Sequence, residues 1–194
     1  MVHDRGFRVE HRKVRGGRDM NTILRRLVRN NAWVEQRYAP ESERRSAIQR
    51  VVSRYRAIAE KERPVEGYAL GLGDLDDTLD AQPRAEMTTE QYDRFTGLHA
   101  ARLHLGAALR QRGVRRAATV EPGKNLWVVE RVLAECGVEV VAEVEQAEAV
   151  VIGTMSPGPM LDAGERWGGE RTLLAWEPKR SVTEMLGVQR LTAA

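Results

Sequence analysis

The sequence predicts an α/β fold, because apolar strand-like runs alternate with helix-like segments along its C-terminal half. Between residues 116 and 186 the order is strand, helix, strand, strand, helix, strand, helix. Alternation of this kind is typical of a mostly parallel sheet covered by helices. We therefore expect residues 88–194 to form a Rossmann-like three-layer domain of about four to five mostly parallel strands, preceded by a basic helical N-terminal region.

The first strand of this domain leads into the segment where a ligand site is expected. A Gly-containing turn at residues 121–125 follows the strand, and a helix over 126–136 follows the turn. Gly137 is the residue type expected just after a helix. Because ligands bind at the carboxyl ends of the strands in open α/β sheets, any functional site is expected at the turns after Val120 and Ile152.

The remaining elements follow from periodicity and capping signals. The second strand is expected over 138–144 and the third over 149–152. A capping box opens a single amphipathic helix over 88–112, and a Pro-rich loop leads into a short helix over 160–167. A second capping box at 181–184 opens the last helix.

Composition excludes several classes of protein. The 194-residue chain has no apolar run long enough to span a bilayer and no signal-peptide pattern at its start, so we predict a soluble, cytoplasmic protein without a membrane partner. Its single cysteine, Cys136, is expected to be a buried small hydrophobe. His99 and His104 are five residues apart, a spacing that does not place two ligands on one helical face, and we predict no metal.

Charge is strongly segregated along the chain. Residues 1–63 contain 17 Arg and Lys against 8 Asp and Glu, residues 64–100 contain 2 against 8, and residues 101–194 contain 12 against 12. The predicted organisation is a flexible basic tail over 1–19, a basic helical hairpin over 20–63, an acidic connector over 64–87 and the α/β domain over 88–194.

The arginine-rich hairpin is a candidate contact surface for nucleic acid, since one-sided positive charge attracts phosphate backbones. An alternative is that these arginines solubilise the surface or dock on the acidic connector of the same chain. The candidate nucleic-acid-binding residues are Arg25, Arg26, Arg29, Arg44, Arg45, Arg50 and Arg54.

The acidic connector contains a local motif of its own. Asp74, Asp76 and Thr78 fit the pattern Asp-x-Asp-x-Thr, which resembles the first motif of haloacid-dehalogenase-type phosphatases. That family needs a buried strand before the motif and a later acidic pair for magnesium. The segment before this motif, residues 68–73, has glycine at positions 71 and 73, which is unfavourable for a buried strand. We interpret the aspartate cluster as a solvated turn.

Residues from Arg84 onward resemble a reduced class I S-adenosylmethionine-dependent methyltransferase of the DNA-adenine type. The segment 120–123 resembles the acidic, Gly-containing first motif, and 149–157 parallels the strand that ends in the catalytic loop. Glu145 lies after the second strand, near where the family places an acidic residue on the cofactor ribose, and Glu143 is the other candidate for that role. The resemblance implies that S-adenosylmethionine is a possible cofactor. The cofactor-binding candidates are Glu121, Gly123, Lys124, Asn125, Glu145 and Ser156.

The same segment departs from the family pattern. The loop after the third strand, Thr154-Met155-Ser156-Pro157, lacks both the Asp or Asn and the aromatic residue of the catalytic motif. Three functions therefore stay open. The first is a nucleic-acid-associated binding protein whose α/β domain lacks complete catalytic motifs, and the second is a methyltransferase with an active or degenerate site. The third is a protein–protein assembly module, whose partner is another protein or a second copy of the chain. Whether the chain is an enzyme is not decided by its sequence.

Overall fold

A computed structural model describes residues 19–177 of the chain. These residues form two compact units, one helical and one mixed α/β, which divide between Asp93 and Arg94. The basic tail predicted over 1–19, apart from Asp19, and the helix predicted from residue 181 lie outside the described residues.

Long helices form the helical unit: α1 (Met20–Tyr38), α2 (Glu41–Glu62) and α3 (Val65–Thr78). Asp19 caps α1 by accepting a hydrogen bond from the backbone N–H of Asn21 at 3.0 Å. Each helix buries one stripe, because its small and apolar residues recur every fourth position. The stripes are Leu24, Val28 and Ala32 on α1, Val51, Tyr55 and Ala59 on α2, and Gly67, Gly71 and Leu75 on α3.

Glycine allows α1 and α3 to cross with their backbones in contact. A Cβ atom on Gly67 would lie 2.3 Å from the backbone oxygen of Asn21, and one on Gly71 would lie 2.9 Å from that of Arg25. The Gly67 N–H also donates to Asn21 Oδ1 at 2.9 Å. No side chain larger than a hydrogen atom fits at Gly67 without moving the helices apart.

The segment predicted as an acidic connector therefore contains a packed helix, α3, within residues 64–87. The aspartates predicted to form a solvated turn lie on this helix. The local turn preference of Asp is outweighed because a helical conformation aligns Gly67, Gly71 and Leu75 against α1.

The capping box predicted at Thr88 is confirmed. The Thr88 N–H donates to Gln91 Oε1 at 2.9 Å and the Gln91 N–H donates to Thr88 Oγ1 at 3.2 Å, at the start of α4 (Thr89–Thr96). The single helix predicted over 88–112 is wrong. Gly97 adopts φ 85° and interrupts it, because a left-handed residue cannot continue a right-handed helix. The chain continues as α5 (Leu98–Ala101), a π-helical turn (Arg102–Gly106) and α6 (Ala107–Arg112).

The second unit is mixed α/β and its four-stranded sheet is all parallel, with strand order β2-β1-β3-β4. A 3₁₀ turn (Val144–Gln146) separates β2 from β3. The elements are β1 (Arg116–Val120), α7 (Leu126–Glu135), β2 (Glu139–Val141), β3 (Ala149–Ile152), α8 (Pro157–Trp167) and β4 (Thr172–Leu173).

The core of this unit lies around β3, whose four residues are all buried. All but Val150 pack in one apolar cluster with Val129 and Leu133 of α7 and Leu105 of the π-helical turn. The second strand is shorter than the predicted 138–144, and Val140 is 54 % exposed. β2 pairs with β1 alone within the described sheet, and its position at the edge leaves Val140 in solvent.

Candidate ligand site at the carboxyl edge of the sheet

The carboxyl ends of β1 and β3 lie side by side, because the two strands pair in parallel with Val120 opposite Ile152. From β1 the chain passes through α7 to β2 on one side, and from β3 it passes through α8 to β4 on the other. Between β1 and β3, therefore, the two connections leave toward opposite edges of the sheet, and the strand order reverses. In open parallel sheets such a reversal opens a crevice in which ligands bind.

The two loops that follow these strands pack tightly together. A Cβ atom on Gly123 would lie 2.5 Å from Thr154 Oγ1, so only glycine permits this approach. The Gly153 N–H donates to the Val120 carbonyl at 2.7 Å. Thr154 is 7 % exposed, and its hydroxyl accepts a hydrogen bond from the Ser156 N–H at 3.3 Å. The structure thereby joins the first loop to the second through Gly123 and Thr154.

Two helices begin at this edge of the sheet. Asn125 precedes α7 and Ser156 precedes α8, and neither side chain caps its helix. The N-terminal end of a helix carries partial positive charge, which favours an anionic group placed beside it. Because the Asn125 and Ser156 side chains do not cap their helices, they are polar groups to which a ligand can form hydrogen bonds.

Glu121 is held by a partner that the sequence analysis did not identify. It adopts φ 50°, and its carboxylate forms an ion pair with the Arg166 guanidinium of α8. This pair ties the loop after β1 to the helix after β3. The positive charge of Arg166 also balances the carboxylate that the methyltransferase resemblance assigns to cofactor binding.

The other predicted cofactor residues are not all brought together. Lys124 and Asn125 are exposed on the same loop as Gly123, and their side chains make no hydrogen bond or ion pair with any described residue. Glu145 lies on the 3₁₀ turn after β2, and its side chain likewise contacts no polar group in residues 19–177. The structure groups Glu121, Gly123 and Ser156, while no polar contact connects Glu145 with them.

Thr154 and Arg166 are the contributors that sequence reasoning missed. Thr154 follows Gly153 directly after a buried strand, which is a signal available in the sequence. Arg166 is 45 residues from Glu121 and gives no local signal. Only the folding of α8 against β3 and β4 brings it to the loop.

Two of the arginines predicted to bind nucleic acid form ion pairs within the helical unit. Arg25 binds the Asp74 carboxylate with two hydrogen bonds, from Nε at 2.8 Å and from Nη2 at 2.6 Å, and Arg29 approaches the same carboxylate at 3.3 Å. The hydrogen bond from Arg25 holds the pKa of Asp74 below its usual range. Arg29 also lies 4.6 Å from the centroid of the Trp33 ring.

The remaining predicted arginines divide into two groups. Arg44 pairs with Glu41 at 2.7 Å, Arg50 approaches Glu43 at 4.0 Å, and Arg54 lies over the Tyr55 ring. Arg26 and Arg45, by contrast, are exposed and form no ion pair among the described residues. Residues 19–93 carry 12 Arg and Lys against 14 Asp and Glu, so the helical unit as folded is not basic.

The Asp-x-Asp-x-Thr motif is part of helix α3 rather than a phosphatase loop. The Thr78 hydroxyl donates to the Asp74 backbone oxygen at 2.5 Å and accepts from Trp33 Nε1 at 3.0 Å. Asp74 is engaged by Arg25 and Arg29. These contacts occupy the Asp74 and Thr78 side chains, the first and last residues of the motif.

Comparison with known proteins gives no guide to the function of this site: no protein-family model, curated protein or solved structure matches the chain. In the part of the chain that the structure describes, no group of three or more His, Cys, Asp and Glu side chains is arranged to hold a metal ion. None of the helices within residues 19–177 combines the length and apolar character needed to cross a membrane.

Proposed function

We propose that the α/β unit is a Rossmann-like domain that binds a small ligand with an anionic group in the crevice between loops 121–125 and 153–156. The observation that carries this proposal is the adjacency of β1 and β3 at the reversal of strand order, where Gly123 packs against Thr154.

The chemistry of the crevice indicates what such a ligand contains. The N-terminal ends of α7 and α8 and the exposed Lys124 ammonium attract an anionic group. The side chains of Asn125 and Ser156 add neutral hydrogen-bonding groups. S-adenosylmethionine has a carboxylate and ribose hydroxyls that fit this set, and the resemblance of segment 120–123 to the methyltransferase motif also favours it.

Calorimetric titration of the full chain with S-adenosylmethionine, and separately with its demethylated product, tests the proposal. Trp176 Nε1 donates to the Met155 carbonyl at 3.2 Å, so tryptophan emission provides a second readout of the 153–156 loop. We expect saturable binding, a change in emission, and loss of both in Gly123→Ala, whose added methyl group would push Thr154 away.

The matched control is Gly73→Ala, since a Cβ atom on Gly73 meets nothing within 4 Å. This variant should bind as the original chain does. Equal affinity in a folded Gly123→Ala protein, or no binding of either probe, would contradict the proposal.

Nucleic-acid association is the second candidate, favoured by the exposed Arg26 and Arg45, which make no ion pair in the described part of the chain. Residues 1–18 add six Arg and Lys against two Asp and Glu. We expect fluorescence anisotropy with labelled DNA and RNA to show binding that weakens as salt rises, because phosphate contacts release counterions. The double variant Arg26→Gln/Arg45→Gln should bind more weakly and with a smaller salt slope, and salt-independent binding would contradict this candidate.

Assembly through the arginine-rich helices and the acidic segment has less support. The pairing that would join two chains is satisfied within one chain, where Arg25 and Arg29 meet Asp74.

A further inference from the structure

An open groove lies at the amino edge of the sheet, at the opposite end of the strands from the crevice. Its volume is about 840 Å³, and its lining comes from the residues just before β1, β3 and β4. Since β1 contains five residues and a strand rises roughly 3.3 Å per residue, about 15 Å separates the two edges. The groove is therefore a separate feature of the α/β unit.

Three arginines that form no ion pair with a described residue line this groove. Arg112, Arg115 and Arg171 form no ion pair within residues 19–177. Two of them are held by backbone carbonyls: the Arg112 guanidinium donates to the Glu170 oxygen and Arg171 Nη1 donates to the Ala147 oxygen at 3.3 Å. A bond to a carbonyl orients a guanidinium but leaves its full positive charge in place.

Two carboxylates share the groove, and one of them is already engaged. Glu148 Oε2 accepts the backbone N–H groups of Arg115 at 2.7 Å and Arg116 at 3.3 Å, and Glu148 Oε1 lies 3.8 Å from the Arg116 guanidinium. The Arg115 N–H bond is the largest cause of the lowered pKa of Glu148, and the Arg115 charge contributes less. Glu170 is the other carboxylate, so the lining of the groove carries a positive excess.

We propose that this groove binds a small ligand bearing two or more phosphoryl groups. Arginine guanidinium groups match phosphate oxygens in geometry and charge, and two of these three are already oriented. A volume near 840 Å³ is within the range of small-molecule sites, which favours a compact ligand over a nucleic-acid strand. The proposal does not depend on the function assigned to the crevice.

Calorimetric titration of the full chain with inorganic pyrophosphate and, in a second arm, with ATP tests this inference. We expect both to bind, because they share the diphosphate group, and we expect Arg115→Gln/Arg171→Gln to weaken both by about tenfold or more. Circular dichroism before each titration verifies that the variant is folded. A folded double variant with unchanged affinity would overturn the proposal, as would the absence of pyrophosphate binding.

The matched control is Lys124→Gln, which removes one positive charge at the crevice and leaves the groove intact. We expect it to bind pyrophosphate within about twofold of the original chain. If Lys124→Gln lost as much affinity for pyrophosphate as the arginine double variant, the anion would be assigned to the crevice and the inference would be overturned. Conversely, Gly123→Ala can lose its crevice ligand while keeping pyrophosphate, so the two proposals fail separately.

Nuclear magnetic resonance supplies a position-specific readout that does not depend on any variant. Pyrophosphate should shift the backbone amide signals of Gly113 and Ala149, which line the groove, and leave those of Gly123 and Thr154 in place. The reverse pattern would contradict the proposal. A DNA oligonucleotide that shifts the same groove signals at concentrations far below those of pyrophosphate would also overturn it in favour of a nucleic-acid strand.

Discussion

The helical and α/β units differ in how they obtain close packing. In the helical unit α1 and α3 touch backbone to backbone through Gly67 and Gly71, and ion pairs flank the contact. In the α/β unit branched aliphatic side chains fill the space between sheet and helices, as Val151 and Leu133 do. The first unit is therefore most sensitive to added volume and the second to removed volume.

Removing volume from the α/β core should give the largest effect. Leu133 is fully buried on α7, and Leu133→Ala should lower the free energy of unfolding of this unit by about 3 kcal/mol through lost transfer energy and a residual cavity. Urea denaturation with hydrogen exchange measures the loss and its location. Leu103 is 63 % exposed, so the control Leu103→Ala should change stability by less than about 0.5 kcal/mol. An equal loss of unfolding free energy in both variants would contradict this prediction.

Adding volume should be the more damaging change in the helical unit. Gly67→Ala places a methyl group against the Asn21 backbone and should cost about 2 kcal/mol. Gly73→Ala is in the same helix with open space around it, and should stabilise the unit by up to about 1 kcal/mol through helix propensity. Urea denaturation of both variants measures the difference, and a stabilising Gly67→Ala would refute the close crossing.

Acid should weaken the helical unit through Asp74. Its pKa is lowered in the folded chain by the hydrogen bond from Arg25, so its stabilising contribution is present above the unfolded pKa, about 3.9, and is lost as pH falls through the lowered value. Asp74→Asn should be less stable than the original chain at about pH 7, and the difference should shrink at about pH 3. Urea midpoints at both pH values measure it, and a pH-independent difference would show that the charge does not matter.

The smallest effect is expected at an arginine without an ion pair. Arg26→Gln should change unfolding free energy by no more than about 0.5 kcal/mol, because the side chain is exposed and forms no ion pair in the described chain. Arg25→Gln, on the same helix, removes both hydrogen bonds to Asp74 and should be the less stable variant. Thermal unfolding of the pair provides the comparison, and the opposite ranking would contradict it.

Local patterns in the sequence predicted several elements well. The capping box at Thr88 is confirmed, and so are the strand that ends at Ile152 and the helix that starts at Leu126. These features depend on residues within a few positions of one another. Where a prediction failed, as in the uninterrupted helix over 88–112, a single glycine at position 97 decided the outcome.

The candidate site was predicted in part. Any functional site was expected at the turns after Val120 and Ile152, and the pairing of β1 with β3 places these turns side by side. The contact of Gly123 with Thr154 and the ion pair between Glu121 and Arg166 join residues 31 and 45 positions apart. No periodicity or spacing in the chain reports such contacts.

The sequence by itself determined the α/β character of the C-terminal half, the helix starts after Thr88 and at Leu126, and the segregation of charge along the chain. Short-range propensity and capping control those helix starts. Only the tertiary structure decided what the charges do. Helix α3 brings Asp74 to Arg25 and Arg29, which joins the basic hairpin and the acidic connector into one unit whose charges nearly cancel. Charge balance on a surface depends on which segments pack together, and long-range packing fixes that arrangement.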